Sequence, residues 1–293
     1  VQSARDVDPA QRLFRLIQSQ QSLRPSDAMR FVFATISLIL GTSLVPACKS
    51  SADKQPASPA RSAPATTDAH QRHVADLLVR LDAALRKRAP RLLDRLRPGA
   101  SEQQLADFET YFGLRLPDTL RALYRWHDGV TTNIDGIYQP AELYSGYWMN
   151  SLQQVRESHE MKTRMSKDGT YQSTGRGGAG WWDSRWIPVF ENHSGGSLCV
   201  DMAGSFTGVT GQILQEWHDD SSRSVEYRSL DRWLETYVAA LEAGVLQATS
   251  DEPTLIGASD LAGQEGPKHK HWLAYQQAHN PGYPQRFRAE GGH

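Results

Sequence analysis

The chain has 293 residues, 22% of them charged and 39% hydrophobic, with a formal net charge of −1 and two cysteines. This balance is ordinary for a folded domain and lacks the cationic excess that a phosphate backbone requires, which argues against nucleic acid as a partner. Without residues 1–47, which carry five Arg and three Asp, the net charge moves to −3.

Residues 1–28 form a polar leader, read as an upstream translation start ahead of Met29 and set aside from fold reasoning. Met29-Arg30 opens an apolar run from Phe31 to Val45, closed by Pro46-Ala47-Cys48. The run is shorter than the ~20 residues a spanning helix needs, and its basic start and small-residue end are those of an export signal. Residues 29–47 therefore read as a lipoprotein signal peptide, with a small Ala47 at the cleavage point and the Cys48 thiol as lipid acceptor. Pro46 and the single basic residue Arg30 depart from the usual pattern. Residues 48–68, rich in Ser, Ala and Pro, have no apolar periodicity and read as a tether. A flexible stretch of this length spans about 25 Å.

Folded structure is expected from Ala69, where Val74, Leu77, Leu78, Leu81 and Leu85 recur at helical spacing up to Pro90. A second helix starts after Ser101, which forms a capping box with Gln104, and stops at Gly113. A third has Pro117 in its first turn and is expected to end at Gly129. A short strand is expected at Gly136–Tyr138 and a helix from Ser151 to Met165, with Leu152, Val155 and His159 on one side. Strands follow at Trp186–Glu191, Ser197–Met202, Gln212–His218 and Ser224–Arg228, the first two joined by a Gly-containing turn. The last clear helix carries Leu230, Trp233, Leu234, Tyr237, Val238 and Leu241 behind a Ser229 cap. Helices, then a meander, then a covering helix predict an α+β fold, an antiparallel-rich or mixed sheet with helices packed on it. The single domain is drawn at 69–246, and residues 247–293 as a polar C-terminal extension, a docking arm or a disordered end.

Leu116-Pro117 and, ten residues on, Trp126-His127-Asp128-Gly129 precede Trp186-Ile187-Pro188-Val189, Ser194-Gly195-Gly196, Leu198-Cys199-Val200-Asp201 and Gly208 to Gly211. In this order the segments resemble the SUKH superfamily, the Smi/Knr-type proteins of fungal cell-wall regulation and bacterial toxin immunity. The resemblance covers Leu96 to Leu246 and marks Leu116, Pro117, Gly129, Trp186, Pro188, Gly196, Asp201 and Gly211 as family-pattern structural residues. It implies a protein-binding module rather than an enzyme, with no cofactor. A bacterial member with a lipid on Cys48 would be a periplasm-facing immunity protein of the cell envelope, bound to the membrane through that anchor. Its protein partner would be a toxin acting outside the cytosol. The alternatives are an envelope scaffold for cell-wall synthesis and, more distantly, a hydrolase.

Chemistry-bearing motifs add little. Gly175 to Gly180 matches a dinucleotide fingerprint in letters, but no hydrophobic strand precedes it and Trp181-Trp182-Asp183 follows where a helix is needed. His127-Asp128, His193-Ser194 and Asp201 can be drawn as a triad, yet Ser194 sits at a hairpin tip, not in a nucleophile elbow. His218, Asp219 and Asp220, like His269 and His271, lack metal-ligand spacing, so no metal is expected. With Cys48 acylated, Cys199 has no intramolecular partner and reads as a buried strand residue. Aromatic and charged residues are the favoured anchors of protein interfaces. The binding candidates are accordingly Trp126, His127, Asp128, Tyr147, Trp148, Arg176, Trp181 and Trp182. One of the adjacent tryptophans is expected to be exposed, since neighbouring side chains on an extended chain point opposite ways.

Overall fold

The computed structural model describes residues 65–139, 141–144, 146–168, 180–248, 253–257 and 270–289. All lie within the second of the two units into which the chain divides, Ala60–His293. The readings for the leader, the signal segment, Cys48, most of the tether and Arg176 fall outside these residues.

Helix α1, Ala65–Arg88, begins four residues before the expected start of folded structure at Ala69. It buries Val74, Leu77, Leu81 and Leu85 along one stripe and ends in Arg86, Lys87 and Arg88, which suit the negative end of the helix dipole. Pro90 cannot continue α1 and instead opens the one-turn helix α2, Pro90–Leu93. Helix α3, Glu102–Phe112, has the expected capping box: Gln104 N–H donates to Ser101 Oγ and Gln104 Oε1 accepts from Ser101 N–H. Gly113 closes it in the left-handed region at φ 64°. Helix α4, Asp118–Trp126, stops three residues short of Gly129 because His127 is already extended. Gly129 is needed for a different reason. Its φ is +78°, and a Cβ there would lie 2.4 Å from Ser151 N, so the chain passes too close for any side chain.

Strands β1, Asn133–Ile134, and β2, Ile137–Tyr138, form a hairpin whose two-residue turn, Asp135-Gly136, has positive φ at both positions. Asp-Gly is the pair such a turn favours. Strand β3, Tyr147–Met149, leads into helix α5, Leu152–Lys167, which Ser151 and Gln154 cap as Ser101 and Gln104 cap α3. Strands β4, Trp186–Asn192, β5, Ser197–Asp201, β6, Gln212–Glu216, and β7, Ser222–Tyr227, form the expected meander. Helix α6, Leu230–Ala243, follows a Ser229 cap and ends at Gly244.

Beyond Leu246 the described residues stay within the fold. Strand β8, Leu246–Ala248, pairs with β9, Leu255–Gly257. Helix α7, Lys270–His279, buries Trp272 with its ring 5.6 Å from that of Tyr144. Strand β10, Gln285–Arg288, then pairs with β7. Described residues as far as Ala289, whose N–H donates to Ser221 O, thus pack with the unit drawn to Leu246. A polar strand held by backbone pairing shows no apolar pattern to detect.

The main sheet is antiparallel throughout, in the order β10-β7-β6-β5-β4-β3. Alternation gives it two faces. Ile187, Val189, Leu198, Val200 and Ile213 join the main core with α1, α4 and α6. Six large apolar side chains of α6 are buried there, each contributing about 1.5–3 kcal/mol. Trp186, Cys199, Leu214 and Val225 form a second cluster on the other face, which α5 crosses at β4. Cys199 is fully buried, and burial holds its thiol well above the usual range. Pro188 sits in β4 beside a register shift, its carbonyl accepting from Asn150 Nδ2, which fits a residue with no N–H for the ladder.

Candidate protein interface

The β1–β2 hairpin is separate from the main sheet. Strands of two residues are too short to be stable alone, so its position depends on side chains from elsewhere. Arg95 ties both arms at the base, Nε donating to Thr131 O (2.9 Å) and Nη2 to Gln139 O (2.8 Å). At the other side the Tyr138 hydroxyl lies 2.7 Å from His193 Nδ1, while His193 Nε2 lies 2.8 Å from Glu142 Oε1. A neutral ring protonated on Nε2 satisfies both bonds, accepting from Tyr138 and donating to Glu142. Burial and the Glu142 charge push the Tyr138 hydroxyl up to about 12, which keeps it protonated as the donor. Glu142 is fixed in turn by its backbone, donating to Pro253 O and accepting from Leu255 N–H.

The rings of Tyr138, Trp148 and His193 pack edge to face, with centroids 5.1–6.5 Å apart. Trp148 is fixed by its Nε1, which donates to Asn150 Oδ1 at 2.9 Å. The β4–β5 turn extends this surface. A Cβ on Gly195 would come 3.1 Å from the His218 ring, and one on Gly196 3.1 Å from the Trp217 ring. Both residues of β2 remain uncovered, Ile137 64% and Tyr138 49% exposed. A strand exposed on both faces adds nothing to a core, yet this one is held firmly. Apolar groups presented on a braced support are what a protein contact requires.

Seven of the eight binding candidates lie among the described residues, and these are dispersed. Trp148 belongs to the cluster just described. Tyr147 beside it is buried, its hydroxyl accepting from Gln215 Nε2 and pushed up to about 12, chiefly by burial. Trp126 packs partly against the main core with the His127 ring edge-on to it, and His127 Nδ1 bonds Arg97 O. Asp128 is buried, and its Oδ1 accepts from Leu152 N–H at 2.7 Å, joining the end of α4 to the first turn of α5. Trp181 is buried under the Arg223 guanidinium. Trp182 is half-buried, Nε1 donating to Thr163 Oγ1. Neither tryptophan is exposed, because the opposite faces of that segment meet Arg223 on one side and α5 on the other.

Of the family-pattern residues, Leu116 and Trp186 are core and Pro117 is the N-cap of α4. Asp201 is fully buried, and its carboxylate accepts from the N–H groups of Ala203, Gly204 and Ser205 and from Gln212 Nε2. Gly211, at φ 84°, donates its N–H to Asp201 O. The triad drawn from the sequence is not assembled: His193 is engaged by Tyr138 and Glu142, and Asp201 by its own loop. Ile137 and Tyr138, expected on a short strand, and Glu142 are absent from the binding candidates, although the Asp135-Gly136 turn between apolar residues is a visible hairpin signal.

The fold and this surface define a class, an α+β domain that presents a braced aromatic patch. The model of the SMI1 / KNR4 family (SUKH-1) matches residues 99–236. That stretch belongs to the SUKH superfamily, whose members support a role in toxin immunity or the cell wall and point to protein partners. No curated protein matches the chain.

Proposed function

We propose that this domain is a non-catalytic immunity module, held at the bacterial envelope by lipid on Cys48, that neutralises a toxin acting in the periplasm. The observation that carries the reading is the β1–β2 hairpin, which exposes Ile137 and Tyr138 while Arg95 and His193 hold it in place. Stoichiometric occlusion of a toxin's active site needs a preorganised surface and no reacting group. The reading of residues 29–47 as an export signal supports a periplasmic site of action, since an exported immunity protein cannot meet a toxin confined to the cytosol.

Affinity capture from cell envelopes with the tagged full chain tests this. One stoichiometric partner with a secreted enzyme domain is expected, together with loss of protection when the gene is deleted. Recovery of several resident cell-wall enzymes moves the assignment to a scaffold, and recovery of no partner removes the immunity reading.

A further inference from the structure

Acidic groups border the exposed hairpin. Asp135 occupies its tip, Glu142 lies behind His193, and the exposed Asp219 follows His218, whose ring rests against Gly195 in the β4–β5 turn. The donors of two nearby cations are already engaged, although the neutral acceptors of Arg95 leave its charge in place. Arg95 spends Nε, Nη1 and Nη2 on Thr131 and Gln139, and Lys162, 3% exposed, is paired with Glu216. What remains open to a partner on the Tyr138 face is aromatic surface bordered by carboxylate.

Resting on the protein-binding reading above, we infer that the surface made by Tyr138, Trp148 and His193 receives a lysine- or arginine-bearing segment of another protein. Tyr and Trp faces attract a cation through their quadrupole, and Asp135 and Glu142 add attraction of the same sign. An acidic partner would meet like charge at each of these carboxylates, and like-charge contact is a strong element of discrimination.

A displayed random-peptide library, selected on the immobilised full chain, tests the assignment without knowledge of the natural partner. Recovered sequences should be rich in Lys or Arg next to apolar residues, and a synthetic peptide of the leading sequence should bind less tightly as salt rises. Tyr138→Ala should weaken that peptide about tenfold, whereas Tyr138→Phe, which keeps the ring and loses the hydroxyl, should stay within about threefold. Because Tyr138→Ala also removes the His193 contact, Asp135→Asn serves as a second variant at an exposed tip, with a loss of about threefold at low salt expected. Acidic or uncharged sequences, no recovery at all, or binding indifferent to these substitutions would overturn the inference. If such a failure accompanied capture of a single secreted toxin from envelopes, the immunity reading would stand with the contact placed on another face. Failure of both would remove that reading as well.

Discussion

His159 shows how one buried ring makes stability depend on pH. It lies on α5 with Nδ1 3.0 Å from the Tyr111 hydroxyl and Nε2 2.8 Å from Ser184 O, its ring against those of Phe112 and Trp182. A neutral ring protonated on Nε2 satisfies both contacts. Burial is the largest influence and lowers its pKa from 6.5. The Ser184 carbonyl and Glu160 partly oppose this, and Lys167 adds to it. The unfolded chain therefore takes up this proton first as pH falls. The stabilisation is complete above the unfolded value and is lost as pH drops from about 6.5 through the lower folded value. His159→Gln should flatten the fall of the urea midpoint below about pH 6.5, at a cost of about 1–2 kcal/mol at pH 7.5 from the lost packing and hydrogen bonds. An unchanged slope would show that other groups set the acid response.

At the scale of the element, α5 shows where a sequence stops being readable. Leu152, Val155, His159 and Lys162 lie at helical spacing and all are buried, but an apolar pattern announces only the first two. Lys162 continues the stripe because Glu216, 1% exposed at the end of β6, receives its ammonium at 2.7 Å. Removing one partner of such a pair leaves a buried charge uncompensated, a cost of about 3–5 kcal/mol, while replacing both with neutral groups costs much less. Lys162→Met should accordingly lower the denaturation midpoint sharply, and adding Glu216→Gln should restore much of it. Equal midpoints for the single and double variants would mean that the pair is not coupled. The elements that were legible have local causes: the Ser101 and Ser229 caps, the Gly113 stop, and the apolar runs of β4 and β5. Those that were missed depend on distant partners. Strand β3 shows only Tyr-Trp-Met, and β10 alternates half-buried with exposed residues that carry no apolar signature. The interface was less legible for the same reason. Trp148 stands out by residue type, but Tyr138 meets a histidine 55 positions away and that histidine a glutamate 51 positions back; only the folded chain makes them neighbours.

At the scale of the whole molecule, the segment that matches the family model is not the unit that folds. Residues 99–236 stop midway along α6, before Tyr237, Val238 and Leu241, all fully buried. The helix laid against α6 is α1, and it lies wholly outside the match. Its buried Val74, Leu77, Leu81 and Leu85 supply the apolar contact. Arg80 with Glu242, His70 with Asp231 and His73 with Glu235 form a row of partly exposed pairs along the seam. Pairs this open to solvent contribute little each, so burial decides the energetics. At the opposite end of the chain Trp272 covers Tyr144, and Phe287 of β10 stacks on Phe206 at 5.0 Å. Cut from these neighbours, residues 99–236 would expose the α6 stripe and the outer edge of β7 together. That fragment is expected to unfold without a cooperative transition and to bind a hydrophobic dye, whereas residues 65–289 should melt in one step. Within the full chain, Trp272→Ala should cost about 3–5 kcal/mol, as the loss of any well-packed core tryptophan does. A sharp thermal transition from 99–236 alone would make α1, α7 and β10 additions to a self-sufficient core. A broad one would mean that this chain completes its core only with segments from both sides of the matched stretch.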